Sequence, residues 1–136
     1  MKENDADNVN RQQIRNGLIQ YFELASNEEA LLKYQRDVPI AQVLIELVEQ
    51  FEDWFQVEHI KDGWYKEPTY TQEEIEAILR FHEIWEMLIQ VPEYVDSIGN
   101  FISSNYWPPF QKEAQKTLNI LMKRGYLSDD KPELNK

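Results

Sequence analysis

Apolar residues recur every three or four positions along most of this 136-residue chain, which is the spacing of helices with one buried face. A first helix is predicted from Arg11, and its apolar stripe consists of Ile14, Leu18, Phe22 and Ala25. Asn27 predicts the cap of a second helix, because its side chain can accept hydrogen bonds from first-turn amides and two glutamates follow it. The first third of the chain is therefore predicted to be a pair of helices.

A third helix is predicted at 39–56, where Pro39 suits the first helical position. Its broad apolar face consists of Val43, Leu44, Leu47, Val48, Phe51, Trp54 and Phe55. Glu46, Glu49 and Asp53 lie at i, i+3 and i+7, so they share another face. This helix is predicted to bury aromatic rings on one side and to present carboxylates to solvent on the other.

The helical pattern breaks at 57–70. Asp62-Gly63 is a strong turn signal and Pro68 helps to end any continuing helix, so a loop is predicted there, with a short hairpin as the alternative. Thr71 and Glu74 then match a capping box. The fourth helix is predicted to run to Gln90. Its inward positions are Ile75, Ile78, Leu79, Trp85, Leu88 and Ile89, and its polar side carries Glu73, Glu76, Arg80 and Glu83.

The remaining sequence predicts one or two further helices. Residues 92–98 form a helical piece that Gly99-Asn100 ends or bends, and residues 106–109 (YWPP) form a rigid connection. Pro109 starts the last helix, whose stripe consists of Phe110, Ala114, Leu118, Leu121 and Met122. Gly125 is suited to the position just after the helix ends.

No segment has the alternation of a strand, and no internal repeat is present. The chain is therefore predicted to be all-α, a compact bundle of five or six helices. A single helical domain is expected at 10–127, with flexible tails at 1–9 and 128–136.

Composition adds an uneven distribution of charge to this picture. The formal net charge is −11, and the segment from Glu46 to Asp96 holds 14 acidic and 3 basic residues, so it carries all of it. A surface this acidic repels nucleic acid and anionic membranes and attracts cationic partners, so neither direct nucleic-acid binding nor membrane binding is expected. The chain has no cysteine, which excludes disulfides and thiolate sites, and its first residues are polar, so a cytoplasmic protein is expected.

Candidate catalytic residues are scarce. His59 and His82 are the only histidines, and neither belongs to an HExxH motif. His82 and Glu86 are four residues apart, which is typical of a surface hydrogen bond. The serines lie in no nucleophile motif, and the four glycines form no phosphate-binding loop. We therefore assign no catalytic residue, no metal ligand and no cofactor.

Pairs of glutamates three residues apart, such as Glu46–Glu49 and Glu73–Glu76, are the one pattern that suggests an enzyme. In this spacing the chain resembles all-α nucleotide pyrophosphohydrolases of the MazG kind. The resemblance implies carboxylates that hold Mg²⁺ on facing helices for phosphate chemistry. A Mg²⁺-dependent nucleotide pyrophosphohydrolase is therefore the alternative function from the enzyme class.

The tryptophans and tyrosines divide into two groups. Trp54 and Trp85 lie on apolar helical stripes and are predicted to be core. Trp64 and Tyr65 follow the predicted turn, where they either cover the edge of the core or act as anchors for a partner. The acidic and aromatic positions together predict a partner-binding surface: Glu46, Glu49, Asp53, Asp62, Trp64, Tyr65, Glu73, Glu76 and Glu83.

In size, helical content and charge the chain resembles small acidic all-α bacterial immunity proteins and antitoxins. The resemblance implies an inhibitor that masks a basic partner, such as a nuclease toxin, through steric occlusion and complementary charge. Two other binding functions remain open, an acidic regulatory or adaptor protein and a nucleic-acid mimic. Metal binding and nucleotide hydrolysis would distinguish the enzyme from all of these.

Overall fold

The computed structural model describes residues 2–90 and 97–132, and the side chains of this part from residue 6 onward. Six α-helices make up the described chain: α1 (Lys2–Ala25), α2 (Glu28–Asp37), α3 (Val43–Trp54), α4 (Gln72–Ile89), α5 (Ile98–Ile102) and α6 (Trp107–Leu121). A single 3₁₀ turn at Val57–His59 interrupts the loop between α3 and α4, and no described residue is in a strand. The prediction of an all-α bundle is confirmed.

Phe81 of α4 lies at the centre of the core, where four helices meet. Its ring is in edge-to-face contact with Phe22 of α1 at 4.9 Å, Phe51 of α3 at 5.0 Å and Phe110 of α6 at 5.1 Å between ring centroids. All four side chains are fully buried. Such aromatic pairs stabilise a core by more than the burial of their apolar area alone, so the bundle is organised around these rings.

The Trp54 side chain of α3 packs directly on α1 at Gly17. A Cβ atom built on Gly17 would lie 2.6 Å from the ring of Trp54, which is closer than a real contact allows. Glycine in a helix interior lowers intrinsic helix stability. Here the missing side chain leaves the space in which the Trp54 ring packs.

Both predicted N-caps are present. Asn27 Oδ1 accepts from the Ala30 amide at 3.0 Å, and Thr71 and Glu74 form both hydrogen bonds of a capping box. These two helix starts follow from local sequence because each rests on side chains within four residues of the helix end. The predicted end of the last helix is wrong: α6 ends at Leu121 with Met122 as its C-cap, and Gly125, with a φ of +74°, follows the turn after it.

Several predicted boundaries are wrong. Helix α3 begins at Val43 and not at Pro39, because the Gln35 side chain of α2 holds the connection by accepting from the Val43 amide and donating to the Ala41 carbonyl. Helix α6 begins two residues before Pro109, at Trp107. Helix α5 passes through Gly99-Asn100 without a break, and it starts from a Ser97 cap. The predicted piece at 92–98 lies mostly outside the described residues.

The predicted tails also differ from the structure. Residues 2–10 continue α1 toward its N-terminus, although they carry no apolar stripe that would indicate it. Residues 127–131 lie against α1. There Asn16 exchanges two hydrogen bonds with the Leu127 backbone, and Gln12 donates to the Ser128 and Lys131 carbonyls. Residues 133–136 lie outside the described part.

Candidate functional site

Helices α3 and α4 are neighbours, and large aromatic side chains bridge them. The Trp85 indole donates to the Val48 carbonyl at 2.7 Å, and the ring of Phe51 lies 5.5 Å from that of Trp85. Both helices turn their apolar sides toward this contact. The carboxylates on the opposite, outer sides of the two helices face solvent.

Most carboxylates on these outer sides have no counterion. Six exposed acidic side chains of α3, the following loop and α4 have no hydrogen-bond or salt-bridge partner within the described residues: Glu49, Glu52, Asp53, Glu58, Glu67 and Glu83. Glu76 accepts only from the neutral Gln72 amide. We call these seven residues the acidic face. Because they lack counterions, their repulsion remains in the isolated protein.

Three predicted members of the site are engaged elsewhere. Glu46 is partly buried and accepts from the Tyr34 hydroxyl at 2.7 Å. Glu73 faces α6, where it pairs with Lys123 at 2.9 Å. Asp62 contacts His59 Nδ1 at 3.1 Å within the loop. The structure thus brings Glu49, Asp53, Glu76 and Glu83 to the outer sides of α3 and α4, and it gives Glu46 and Glu73 local partners.

Glu74 does not contribute to the surface charge at all. It is 2% exposed, and its two oxygens accept from Arg15 at 2.9 Å, from Arg124 at 2.7 and 3.1 Å, and from the Thr71 amide at 3.0 Å. Burial raises the pKa of Glu74, but the hydrogen bonds from Arg124 and Arg15 outweigh it and hold the pKa below its ordinary value. The buried Arg15–Glu74–Arg124 cluster therefore ties α1, α4 and the end of α6 together.

Tyr65 is part of the core and not an exposed anchor, which corrects the predicted site. It is 9% exposed, and its ring stacks on Phe55 with 4.5 Å between centroids. Its hydroxyl oxygen accepts from the Gln56 amide at 2.7 Å, and burial raises its pKa. The sequence places Tyr65 in a loop, but that loop folds back over the end of α3, which no local pattern indicates.

Trp64 is partly buried and meets a cation from the same chain. The guanidinium carbon of Arg11 lies 4.5 Å from the centroid of the Trp64 ring, which is a cation–π contact. The Trp64 amide donates to the His59 carbonyl at 3.3 Å, within the loop. Arg11 therefore connects the loop to α1, an interaction between residues 53 positions apart that sequence spacing does not reveal.

A cleft opens beside Trp64, at the junction of α1, the end of α3 and the loop. Its volume is about 250 Å³. Trp54, Trp64 and Tyr65 line it, and Ile14 of α1 completes its apolar lining. Asp53, Gln56 and His59 supply its polar groups. Apart from Asp53, Trp64 and Tyr65, none of these residues belongs to the predicted site.

Each of the two histidines contacts one nearby carboxylate. His82 Nδ1 contacts Glu86 at 3.0 Å, as its spacing predicts, and its ring also packs on Trp85. No group of three or more His, Asp or Glu side chains is arranged to hold a metal among these residues. No described helix combines the length and the apolar character needed to cross a bilayer.

No protein-family model, no curated protein and no solved structure matches the chain. Function must therefore be inferred from the charges, rings and cleft of the site itself.

Proposed function

We propose that this protein binds a basic protein and masks it, in the manner of an immunity protein or antitoxin. The observation that carries the proposal is the acidic face, whose seven carboxylates on α3, the following loop and α4 are exposed and have no counterion within the described residues. A cationic surface would neutralise them on binding, and their field would steer that surface during approach. The partner's own binding or catalytic groups would then be covered.

An aromatic side chain, Trp64, supplies the apolar contact that the proposed complex also needs. Charge accelerates association, but slow dissociation needs buried apolar contacts, and tryptophan is prominent in such contacts. Trp64 is partly exposed at one end of the acidic face, beside the cleft. The partner would be a basic protein, such as a nuclease toxin, because nucleic acid and anionic lipid carry the same sign of charge as this face. The location proposed is the cytoplasm, since a chain without cysteine needs no oxidising compartment.

The first experiment is affinity capture with the full chain as bait at low and at high salt, with the bound proteins identified by mass spectrometry. The proposal expects one basic protein in stoichiometric amount at low salt and less of it at high salt. Capture of acidic proteins only, with the bait shown to be folded by circular dichroism, would contradict it.

The second experiment measures association with the purified partner by stopped flow. Glu49→Gln with Glu83→Gln removes two charges from the acidic face, and we expect slower association and a weaker dependence on salt. Glu28→Gln with Glu29→Gln is the matched control, because it removes two exposed charges from the start of α2. Equal association rates for the two variants would remove the acidic face from the interface.

A further inference from the structure

We infer that the cleft beside Trp64 binds the side chain of an arginine that the basic partner presents. The inference rests on the proposed function and makes it specific, since it names the group recognised and the residues that recognise it. Asp53 would pair with the guanidinium, and Trp54 and Trp64 would flank its plane.

The size of the cleft favours one side chain as its occupant. Sites for drug-sized ligands and cofactors occupy about 300–1,000 Å³. The cleft, at about 250 Å³, is smaller than this range. A nucleotide or another small molecule of that size would extend beyond the cleft into solvent, whereas a single long side chain would be enclosed.

The polar groups of the cleft favour a cation over an anion. The Asp53 carboxylate is exposed and has no counterion within the described residues. An anionic ligand would meet Asp53 at short range, while a cation would complete its hydrogen bonds.

The aromatic walls distinguish arginine from lysine. A guanidinium is planar, stacks on aromatic rings and forms two parallel hydrogen bonds with a carboxylate, whereas an ammonium group is compact and more strongly hydrated. Two indole rings and one carboxylate line the same small cleft. This combination matches the plane and the hydrogen bonds of a guanidinium.

The chain already contains one contact of this kind. Arg11 lies over the Trp64 ring at 4.5 Å and is not part of the cleft lining. Its own positive charge opposes a second cation nearby. The Asp53 carboxylate lines the cleft and the Glu58 carboxylate acts on Tyr65, another lining residue, so both offset that charge. Arg11 also holds the ring that the incoming arginine would touch.

The test is a titration of the ¹⁵N-labelled full chain with N-acetyl-arginine amide, followed through the four tryptophan indole signals. We expect the Trp54 and Trp64 signals to shift and saturate. The Trp85 signal should stay fixed, because its indole is bonded to Val48 inside the core. The lysine amide should bind more weakly, and the citrulline amide, which keeps the shape and loses the charge, should not bind.

Two variants complete the test. Asp53→Asn should weaken binding of the arginine amide by at least about tenfold, because it removes the carboxylate that pairs with the guanidinium. Glu28→Gln removes the same charge from an exposed position of α2, outside both the cleft and the acidic face, and should leave binding nearly unchanged. Equal effects of the two variants, or equal binding of citrulline and arginine amides, would overturn the inference.

The arginine titration and the partner association rates together distinguish failure of the arginine site from failure of the proposed masking function. Fixed indole signals, together with slow partner association for the Glu49→Gln, Glu83→Gln variant, would reject the cleft and keep the acidic face. Saturable binding of arginine in the cleft, together with unchanged partner association for that variant, would keep the cleft and reject masking through the acidic face.

Discussion

The Glu74 side chain accepts more hydrogen bonds than any other carboxylate in the described chain. Its partners come from α1, from the segment after α6 and from its own N-cap, and Glu74 and Arg15 are both buried. The sequence predicts only the capping box, because Thr71 and Glu74 are three residues apart. Arg15 and Arg124 are distant along the chain, so their convergence on Glu74 follows from packing and not from a motif.

Replacement of Glu74 by alanine should be among the most destabilising single changes on α4. It leaves the buried Arg15 guanidinium without its carboxylate, and loss of one partner from a buried ion pair costs about 3–5 kcal/mol. Denaturation by urea would measure the free energy of unfolding. Glu76→Ala, exposed on the same helix, is the control and should cost far less.

The same carboxylate predicts a dependence of stability on acid. The folded pKa of Glu74 lies below its unfolded value, so the unfolded state takes up protons first as pH falls. The stabilisation is fully present above the unfolded pKa, about 4.3, and is lost as pH falls through the folded pKa. We expect the stability difference between wild type and Glu74→Gln to shrink as pH falls below about 4.3. A difference that stays constant down to acid unfolding would contradict this.

Gly17 provides a test of the contact between α1 and α3. An alanine would raise intrinsic helix stability, yet its Cβ would overlap the Trp54 ring, and overpacking of this kind costs about 1–3 kcal/mol. We expect Gly17→Ala to lower the melting temperature. Gly99→Ala is the matched control, because nothing lies within 4 Å of a Cβ there, and it should be neutral or stabilising.

At the scale of elements, a helix start can be predicted from the sequence when a residue next to that start caps it. It cannot be predicted when a side chain of a neighbouring helix determines it. Asn27 and Thr71 cap their helices with their own side chains, so both starts follow from local pattern. Helix α3 has no side-chain cap of its own, and its start depends on Gln35 of α2. The start predicted at Pro39 was wrong because proline permits a first helical turn without requiring one.

Removal of the α4 cap should therefore have a local and moderate effect. Thr71→Ala removes the oxygen that accepts from the Glu74 amide, and loss of such a cap costs about 1 kcal/mol. Chemical denaturation would measure the loss. Ser103→Ala, at an exposed helix end where no side-chain hydrogen bond is made, should change the stability little, and an equal loss there would argue against a capping effect.

At the scale of the whole molecule, the charge distribution could be predicted from sequence, but the grouping of the charges could not. The segment from Glu46 to Asp96 carries the full net charge of −11. Packing then removes Glu74 to the interior, pairs Glu73 with Lys123, and leaves the acidic face without counterions. The cleft was not predicted, since Ile14 meets Trp64 only after α1 packs beside the loop.

The uncompensated charge should make the isolated protein more stable in salt. Repulsion within the acidic face opposes folding, and added salt screens it, since the screening length falls from about 30 Å at 0.01 M to about 8 Å at 0.15 M. We expect the melting temperature at neutral pH to rise with sodium chloride over this range. The Glu49→Gln, Glu83→Gln variant should rise less, and a melting temperature that falls with salt would contradict the idea.

The buried cluster has a consequence for how the chain folds as it is synthesised. Arg15 of α1 donates to the Gly125 carbonyl, 110 residues later in the chain, so α1 is synthesised well before this partner. Until that residue has emerged, the Arg15 guanidinium lacks the carbonyl groups that it donates to at and after the end of α6. Helix α1 also lacks α6, one of the helices it packs against. The bundle therefore cannot close one helix at a time from its N-terminus. Nascent α1 can pack on α2 and α3 first, but the side that packs on α6 should stay exposed until α6 has emerged. This surface would be available to chaperones that bind unfolded chains.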